Sequence, residues 1–253
     1  MNEKVILLVD VIYNDIENPY VSGPVCVLVT RPKNSTSLST RAYPISHYEA
    51  PESPYNFPGD ALNEVAYEYE DATFITSSLR SFYECENAIS HSIKDVNMVH
   101  RHTGDYSHKA LLTAHLEWQH PSKQVYFCPI GKLKGMHQSV YEECVKPLNH
   151  EDIERTKQTS LQALVQIEKN GIIYEGTKRY SNYNLLASKT GRPSNTRDGT
   201  NFAAIENPKE VLSSRFENGQ LATLDFKSYH IHLIDHLAKN VYGVTNELLF
   251  GEH

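Results

Sequence analysis

Residues 5–30 read VILLVDVIYNDIENPYVSGPVCVLVT. Two apolar, β-branched runs, Val5–Val9 and Pro24–Thr30, flank a turn-forming segment with Asn18-Pro19 and Ser22-Gly23, a pattern that predicts two buried strands joined as a hairpin. Working outward, residues 33–60 are rich in Ser, Thr, Pro, Asn and Tyr, with Pro44, Pro51, Pro54 and Pro58. They predict irregular connections and one short strand near Ser39–Pro44. Helical patterns at about 60–69 and 81–94 enclose a short strand, Ala72–Thr76. A further helix is expected over His108–Trp118, where Leu111, Leu112, His115 and Leu116 share a face. The element order predicts an α/β (α+β) domain over roughly residues 1–150, a mixed sheet with helices.

From Glu151 the pattern changes. A helix is predicted through Thr156–Lys169, capped by Asn149 or Asp152, with Leu161, Leu164, Val165 and Ile167 inward and Asn170-Gly171 as its stop. A polar loop runs to Pro208. Gly219 then leads into a short buried strand, Leu221–Phe226, followed by a helix over Ser228–Asn240 with Ile231, Ile234, Leu237 and Ala238 at helical spacing. Asp225 is thereby placed at a strand end beside a helix N-terminus.

The chain has 253 residues, 40% apolar and 22% charged, a globular profile with room for one large domain or two ordinary ones. No stretch approaches the ~18 apolar residues of a membrane span, and the first residues lack a signal-peptide pattern, so a cytoplasmic protein is expected. Cys26, Cys85, Cys128 and Cys144 form no C-x-x-C pair and are expected to be reduced and structural. The net charge of −7 argues against coating nucleic acid by charge alone. That average is uneven: residues 1–150 hold 12 Lys and Arg against 18 Asp and Glu, and residues 151–253 hold 12 against 13. Between Lys178 and Arg215, seven basic residues face three acids. A carboxylate at a strand end opposite a basic loop suits phosphoryl transfer, although Asp at such a junction also serves as a helix cap.

The order of short motifs carries a resemblance. Lys189-Thr190-Gly191-Arg192-Pro193-Ser194-Asn195, then Asn201-Phe202-Ala203-Ala204-Ile205, Arg215-Phe216 and Leu224-Asp225-Phe226-Lys227-Ser228-Tyr229-His230-Ile231-His232 resemble the palm of family A DNA polymerases. There a T-G-R segment precedes motif A, a strand ending in D-Y-S-x-x-E-x-R. The likeness covers about residues 160–253 and is strongest over 183–237. It implies that Asp225 binds two catalytic Mg2+ ions, with the Phe226 backbone carbonyl as a further ligand. It also implies that Arg192 reaches the minor-groove edge of the primer terminus, where N3 and O2 acceptors are common to every base pair. Asn195 and Asn201 resemble template-primer contacts, with Lys189 and Arg197 beside them. The glutamate that excludes the ribose 2′-hydroxyl is replaced by His230, so His230 with Tyr229 is expected to form the sugar gate.

The departures are as informative. No R-x-x-x-K-x-x-x-Y fingers pattern and no His-Asp turn occurs in the 253 residues. The expectation is therefore an N-terminal part of a split or truncated polymerase, with a second polypeptide carrying the fingers and the remaining palm. The resemblance implies primer-template DNA and dNTP as partners, and a phage-encoded protein in a bacterial host. The alternative is a non-catalytic DNA-binding or assembly subunit that keeps a palm scaffold. Domains are expected at 1–150, a degenerate RNase H-like 3′–5′ exonuclease domain, at 151–177, a reduced thumb-like helix, and at 178–253, the first part of the palm. The first domain is degenerate because Asp10 is followed by Val11-Ile12 where the family has D-x-E. His230-Ile231-His232-Leu233-Ile234-Asp235-His236 approaches a zinc-hydrolase pattern, but its Asp is one position late, and on a helix His230 and His232 point about 200° apart.

Overall fold

The computed structural model describes residues 4–15, 18–104, 124–185, 193–195, 200–222 and 228–243. The chain divides into two units, residues 1–212 and 213–253.

The first unit is built on a five-stranded sheet in the order β3-β2-β1-β4-β5. The strands are β1 Ile6–Tyr13, β2 Pro24–Pro32, β3 Leu38–Pro44, β4 Thr73–Thr76 and β5 Lys94–Asp95. β1, β2 and β3 form an antiparallel meander, with Asp10 opposite Leu28 and Thr30 opposite both Leu8 and Thr40. β4 runs parallel to β1, and β5 parallel to β4. The result is a mixed α/β sheet.

Strand alternation sorts the central strand onto two faces. Leu7, Val9, Val11 and Tyr13 pack with Val27 and Val29 against one set of helices: α1 (Pro58–Glu68), α2 (Ala88–Ser92) and α6 (Thr159–Asn170). Leu8 and Ile12 pack with Cys26 and Leu28 against the other set: α3 (Val96–Thr103), α4 (Ile130–Val140) and α5 (His150–Arg155). Burial on both faces is what the continuous apolar runs require. Each fully buried Leu, Ile or Val contributes about 1.5–3 kcal/mol. Asp10 falls on the second face, inside the apolar layer.

Several expectations are met: the opening hairpin, the short strand at 38–44, α1, and β4 between helical segments. Others are corrected. Residues 81–94 are not one helix but a 3-10 turn, Leu79–Phe82, then α2, then β5. Asn87 explains the restart: its side chain accepts the Ser90 N–H while the Ser90 hydroxyl approaches the Asn87 N–H, a capping box that opens a new helix. Asn149 caps α5 through Asp152 N–H at 2.9 Å, and α6 begins separately at Thr159.

The inward stripe of α6 differs by one residue from the expected one. Leu161 and Val165 are buried, but Ile167 is 57% exposed, and the third core position belongs to Glu168, at 0%. Gly171 ends this helix at φ 62°, ψ −175°. A Cβ there would lie 2.8 Å from the Arg179 carbonyl oxygen, so only glycine fits. Beyond it come a hairpin, β6 Ile172–Tyr174 with β7 Thr177–Arg179, and the short pair β8 Tyr183–Asn184 with β9 Ser194–Asn195.

In the second unit a helix, α7, spans Tyr229–Tyr242 and matches the one expected. Its residues Ile231, Ile234 and Leu237 are 43%, 58% and 44% exposed. Leu221 and Ala222 lie outside regular structure. The rest of the expected strand, Thr223–Phe226, and the expected helix His108–Trp118 lie outside the described residues.

Candidate functional site

A buried polar junction in the first unit is centred on Glu168 of α6. Its Oε2 accepts from the Tyr20 hydroxyl at 2.7 Å and from Arg80 Nε at 2.7 Å. Its Oε1 accepts from Arg80 Nη2 at 2.8 Å and from the Tyr183 backbone N–H at 2.7 Å. Arg80 Nη2 also donates to the Tyr183 carbonyl. The N–H and C=O of Tyr183 are thus both taken by a charged pair, which substitutes for a neighbouring strand on that edge of β8. On its other edge β8 pairs with β9, Tyr183 opposite Asn195 and Asn184 opposite Ser194. One residue further on, Arg101 Nη1 donates to the Leu185 carbonyl.

The pair is a buried one, with the Arg80 side chain 17% exposed and that of Glu168 0%. Burial pushes the Arg80 guanidinium down, but Glu168 and its hydrogen bonds outweigh that and hold it above its ordinary value. Burial and the Glu168 carboxylate both push the Tyr20 phenol up. Four donors satisfy the carboxylate, as a buried charge requires. This junction joins the segment before β2 (Tyr20), the turn after β4 (Arg80), α6 (Glu168) and β8 (Tyr183). Sequence reading passed over Arg80 and Glu168. One signal existed: Leu161, Val165 and Glu168 lie at i, i+4 and i+7, so a charge occupies the core stripe.

A second polar cluster surrounds Asp10. Oδ1 accepts from the Thr76 hydroxyl at 2.5 Å and the Ser77 N–H at 2.9 Å, and Oδ2 faces His137 Nε2 at 3.0 Å. Burial alone would push this carboxyl up, but His137, Thr76 and Ser77 together hold it below the ordinary carboxylate value. His137 Nε2 therefore donates, and Nδ1 meets the Thr30 hydroxyl at 2.6 Å, itself 2.7 Å from the Thr40 hydroxyl. Asp10 and His137 are 1% and 0% exposed. Both oxygens of Asp10 are occupied by protein donors. Among the described residues, no group of three or more His, Cys, Asp or Glu is placed to hold a metal ion.

Of the residues singled out by sequence, Asp225, Phe226, Lys189, Arg192 and Arg197 lie outside the described residues. Asn195 is half-buried on β9, and its Oδ1 accepts the Asn182 N–H at 3.2 Å. Asn201 is exposed at the start of a 3-10 turn, Phe202–Ala204. Tyr229 is 53% exposed in the first turn of α7, with the His230 backbone beside it. The junction brings β8 and β9, and with them Asn195, to the first unit, whereas Tyr229 and His230 belong to the second. Three of the four described cations of the basic stretch lie over aromatic rings: Lys178 over Tyr180 at 5.2 Å, Arg179 over Tyr174 at 5.8 Å and Arg215 over Phe216 at 4.8 Å. His100 is a satisfied core histidine, its Nε2 2.7 Å from the Cys144 carbonyl. The four cysteines are free and buried. No described helix is long and apolar enough to cross a membrane. Compared with protein-family models, with curated proteins and with solved structures, the chain gives no significant match.

Proposed function

We propose that this chain is part of a DNA-directed DNA polymerase of the family A type, carrying motif A of the palm. In this reading Asp225 and the Phe226 carbonyl would hold two Mg2+ ions, whose chemistry there would be charge neutralisation at phosphate and activation of a hydroxyl nucleophile. Arg192 holds the primer terminus, with Lys189, Arg197, Asn195 and Asn201 along the template-primer, and His230 with Tyr229 discriminates the sugar of the incoming dNTP. The fingers and the second palm carboxylate come from outside these 253 residues.

The observation that carries the proposal is independent of the motifs. A sheet in the order β3-β2-β1-β4-β5, with an antiparallel meander followed by two parallel strands, has the strand order of an RNase H-like domain. The resemblance implies such a domain ahead of the palm, and this sheet lies ahead of the palm-like segment. In the same reading the domain is a scaffold rather than a nuclease, because the acid of its first strand is committed to Thr76, Ser77 and His137.

The test is primer extension by the chain together with the polypeptide that supplies the fingers. Asp225→Ala is expected to abolish dNTP incorporation, and unchanged activity would remove the assignment. A complex that tolerates Asp225→Ala but loses primer binding with Arg192→Ala would instead be a non-catalytic DNA-binding subunit.

A further inference from the structure

The β6–β7 hairpin carries charge that the fold leaves uncompensated. We infer that its open edge, at Lys178 and Arg179, is a contact for the phosphodiester backbone of a nucleic acid. That the polyanion is primer-template DNA rests on the polymerase reading above, whereas the contact surface is built from described residues alone.

Three observations carry this. First, the hairpin is a stiff platform. Glu175 and Gly176 form its two-residue turn at φ 47° and 75°, with Tyr174 opposite Thr177. The Tyr180 ring just beyond it is stacked on Tyr20 at 5.8 Å. Second, β7 is the edge strand of its small sheet, and Thr177, Lys178 and Arg179 are all exposed. Successive residues of a strand point to opposite faces, so the two cations flank the open edge from either side. Third, no ion pair among the described residues involves Lys178 or Arg179, whereas the exposed Arg41, Lys146 and Arg155 are each bridged to a glutamate. Lys178 and Arg179 lie instead over the neutral rings of Tyr180 and Tyr174, which orient a cation without cancelling its charge. Residues 169–180 hold three cations, Lys169, Lys178 and Arg179, against one acid, Glu175, in a chain of net charge −7. Cations on an exposed edge recognise a chain of uniform charge, which a phosphodiester backbone is. A peptide added to the same edge would need pockets for its side chains.

The experiment measures anisotropy of a fluorescein-labelled primer-template duplex against the full-length chain from about 50 to 200 mM NaCl, alongside thermal melting. Lys178→Gln/Arg179→Gln is expected to lower the slope of log affinity against log salt by about two, equally for duplexes of unrelated sequence, and to leave the melting temperature in place. Lys178→Arg/Arg179→Lys keeps both charges and is expected to keep the slope. Lys146→Gln/Arg155→Gln removes the same two charges from elsewhere in the first unit and is expected to leave the slope unchanged. A slope unmoved by the hairpin variant, an equal loss with Lys146→Gln/Arg155→Gln, or a wild-type chain that does not retain the duplex would overturn the contact. Polyglutamate displacing the duplex as readily as unlabelled duplex does would also overturn it, in favour of an acidic protein partner. Binding that responds to the hairpin variant but is indifferent to Arg192→Ala would leave the contact standing and count against the polymerase reading instead.

Discussion

Glu168→Gln tests the junction most directly. The substitution keeps the volume of the side chain and one carbonyl oxygen, but it removes the negative charge that faces Arg80 Nε and Nη2 at 2.7 and 2.8 Å. It also sets donor against donor. Whichever way the amide turns, its NH2 faces either Tyr20 and Arg80 Nε or Tyr183 N–H and Arg80 Nη2. With Glu168 at 0% and the Arg80 side chain at 17% exposure, solvent does little to relieve the stranded guanidinium. Breaking a buried pair from one side costs about 3–5 kcal/mol, so a loss of about 4 kcal/mol is expected, against a typical total of about 5–15 kcal/mol. At about 2–4 °C per kcal/mol for a unit of this size, the melting midpoint falls by roughly 8–16 °C. The assay is urea and thermal unfolding followed by far-ultraviolet circular dichroism, with a lower midpoint at unchanged slope. Arg80→Met alone and the double variant complete a cycle. The double variant is expected to cost at least about 2 kcal/mol less than the sum of the singles. A loss below about 1 kcal/mol for Glu168→Gln, or simple additivity, would mean that the pair behaves as a solvated surface bridge, and the reasoning would fail.

Two further outcomes follow from the described residues. Asp10→Asn removes the charge that His137, Thr76 and Ser77 support and is expected to cost about 2 kcal/mol at neutral pH. Because the folded carboxyl is held below its unfolded value, that contribution is complete above the unfolded value of about 4 and is lost as pH falls through the folded one. Asp95, which burial pushes up, works in the opposite sense, so the measurement is the difference between wild type and variant from pH 6 down to about pH 3. A difference that stays constant across that range would contradict the electrostatic account. Gly171→Ala is expected to cost at least about 2 kcal/mol in urea unfolding, because φ 62°, ψ −175° is a region open essentially to glycine and the new Cβ meets the Arg179 carbonyl at 2.8 Å. Gly171→Asn should do no better, since asparagine tolerates the left-handed helical region and this residue lies outside it. A cost under about 0.5 kcal/mol for either would show that the turn relaxes freely.

Much of the sheet was legible in the chain because its signals are local. The apolar runs of β1 and β2 are continuous, the turn between them carries Pro and Gly, and α1 and β4 each announce their period within a few residues. Where the reading failed, a local signal pointed to two outcomes. Residues 81–94 contain enough helix-forming pattern for one long helix, yet Asn87 and Ser90 cap a new one, and Lys94-Asp95 has a free strand edge to join beside β4. The interior of α6 was misassigned for a related reason. Counting only apolar residues selects Ile167 as the inward neighbour of Leu164, whereas the stripe through Leu161 and Val165 continues to Glu168. A charged residue is discarded by an apolar count at the very position where it reveals a buried partner.

That partner cannot be found along the chain, because topology supplies it. Arg80 is 88 residues from Glu168, and His137 is 127 residues from Asp10. For Asp10 the local question is whether a glutamate follows two residues later, and Val11-Ile12 answers only that it does not. What Asp10 does instead depends on β4 lying parallel beside β1, which brings Thr76 and Ser77 to its carboxylate, and on α4 crossing the second face with His137 inward. The same logic makes the two clusters different in kind. Asp10 is closed on every side by one domain's own donors and spends its charge on the fold. Glu168 reaches out of α6 and takes three of its four hydrogen bonds from Tyr20 and Arg80, which flank strands of the N-terminal sheet, and the fourth from β8. A charge buried at a junction of separate elements, unlike one buried within a layer, is bonded to all of them at once, and so the Arg80–Glu168 pair is where a substitution in the turn after β4 should be felt at β8.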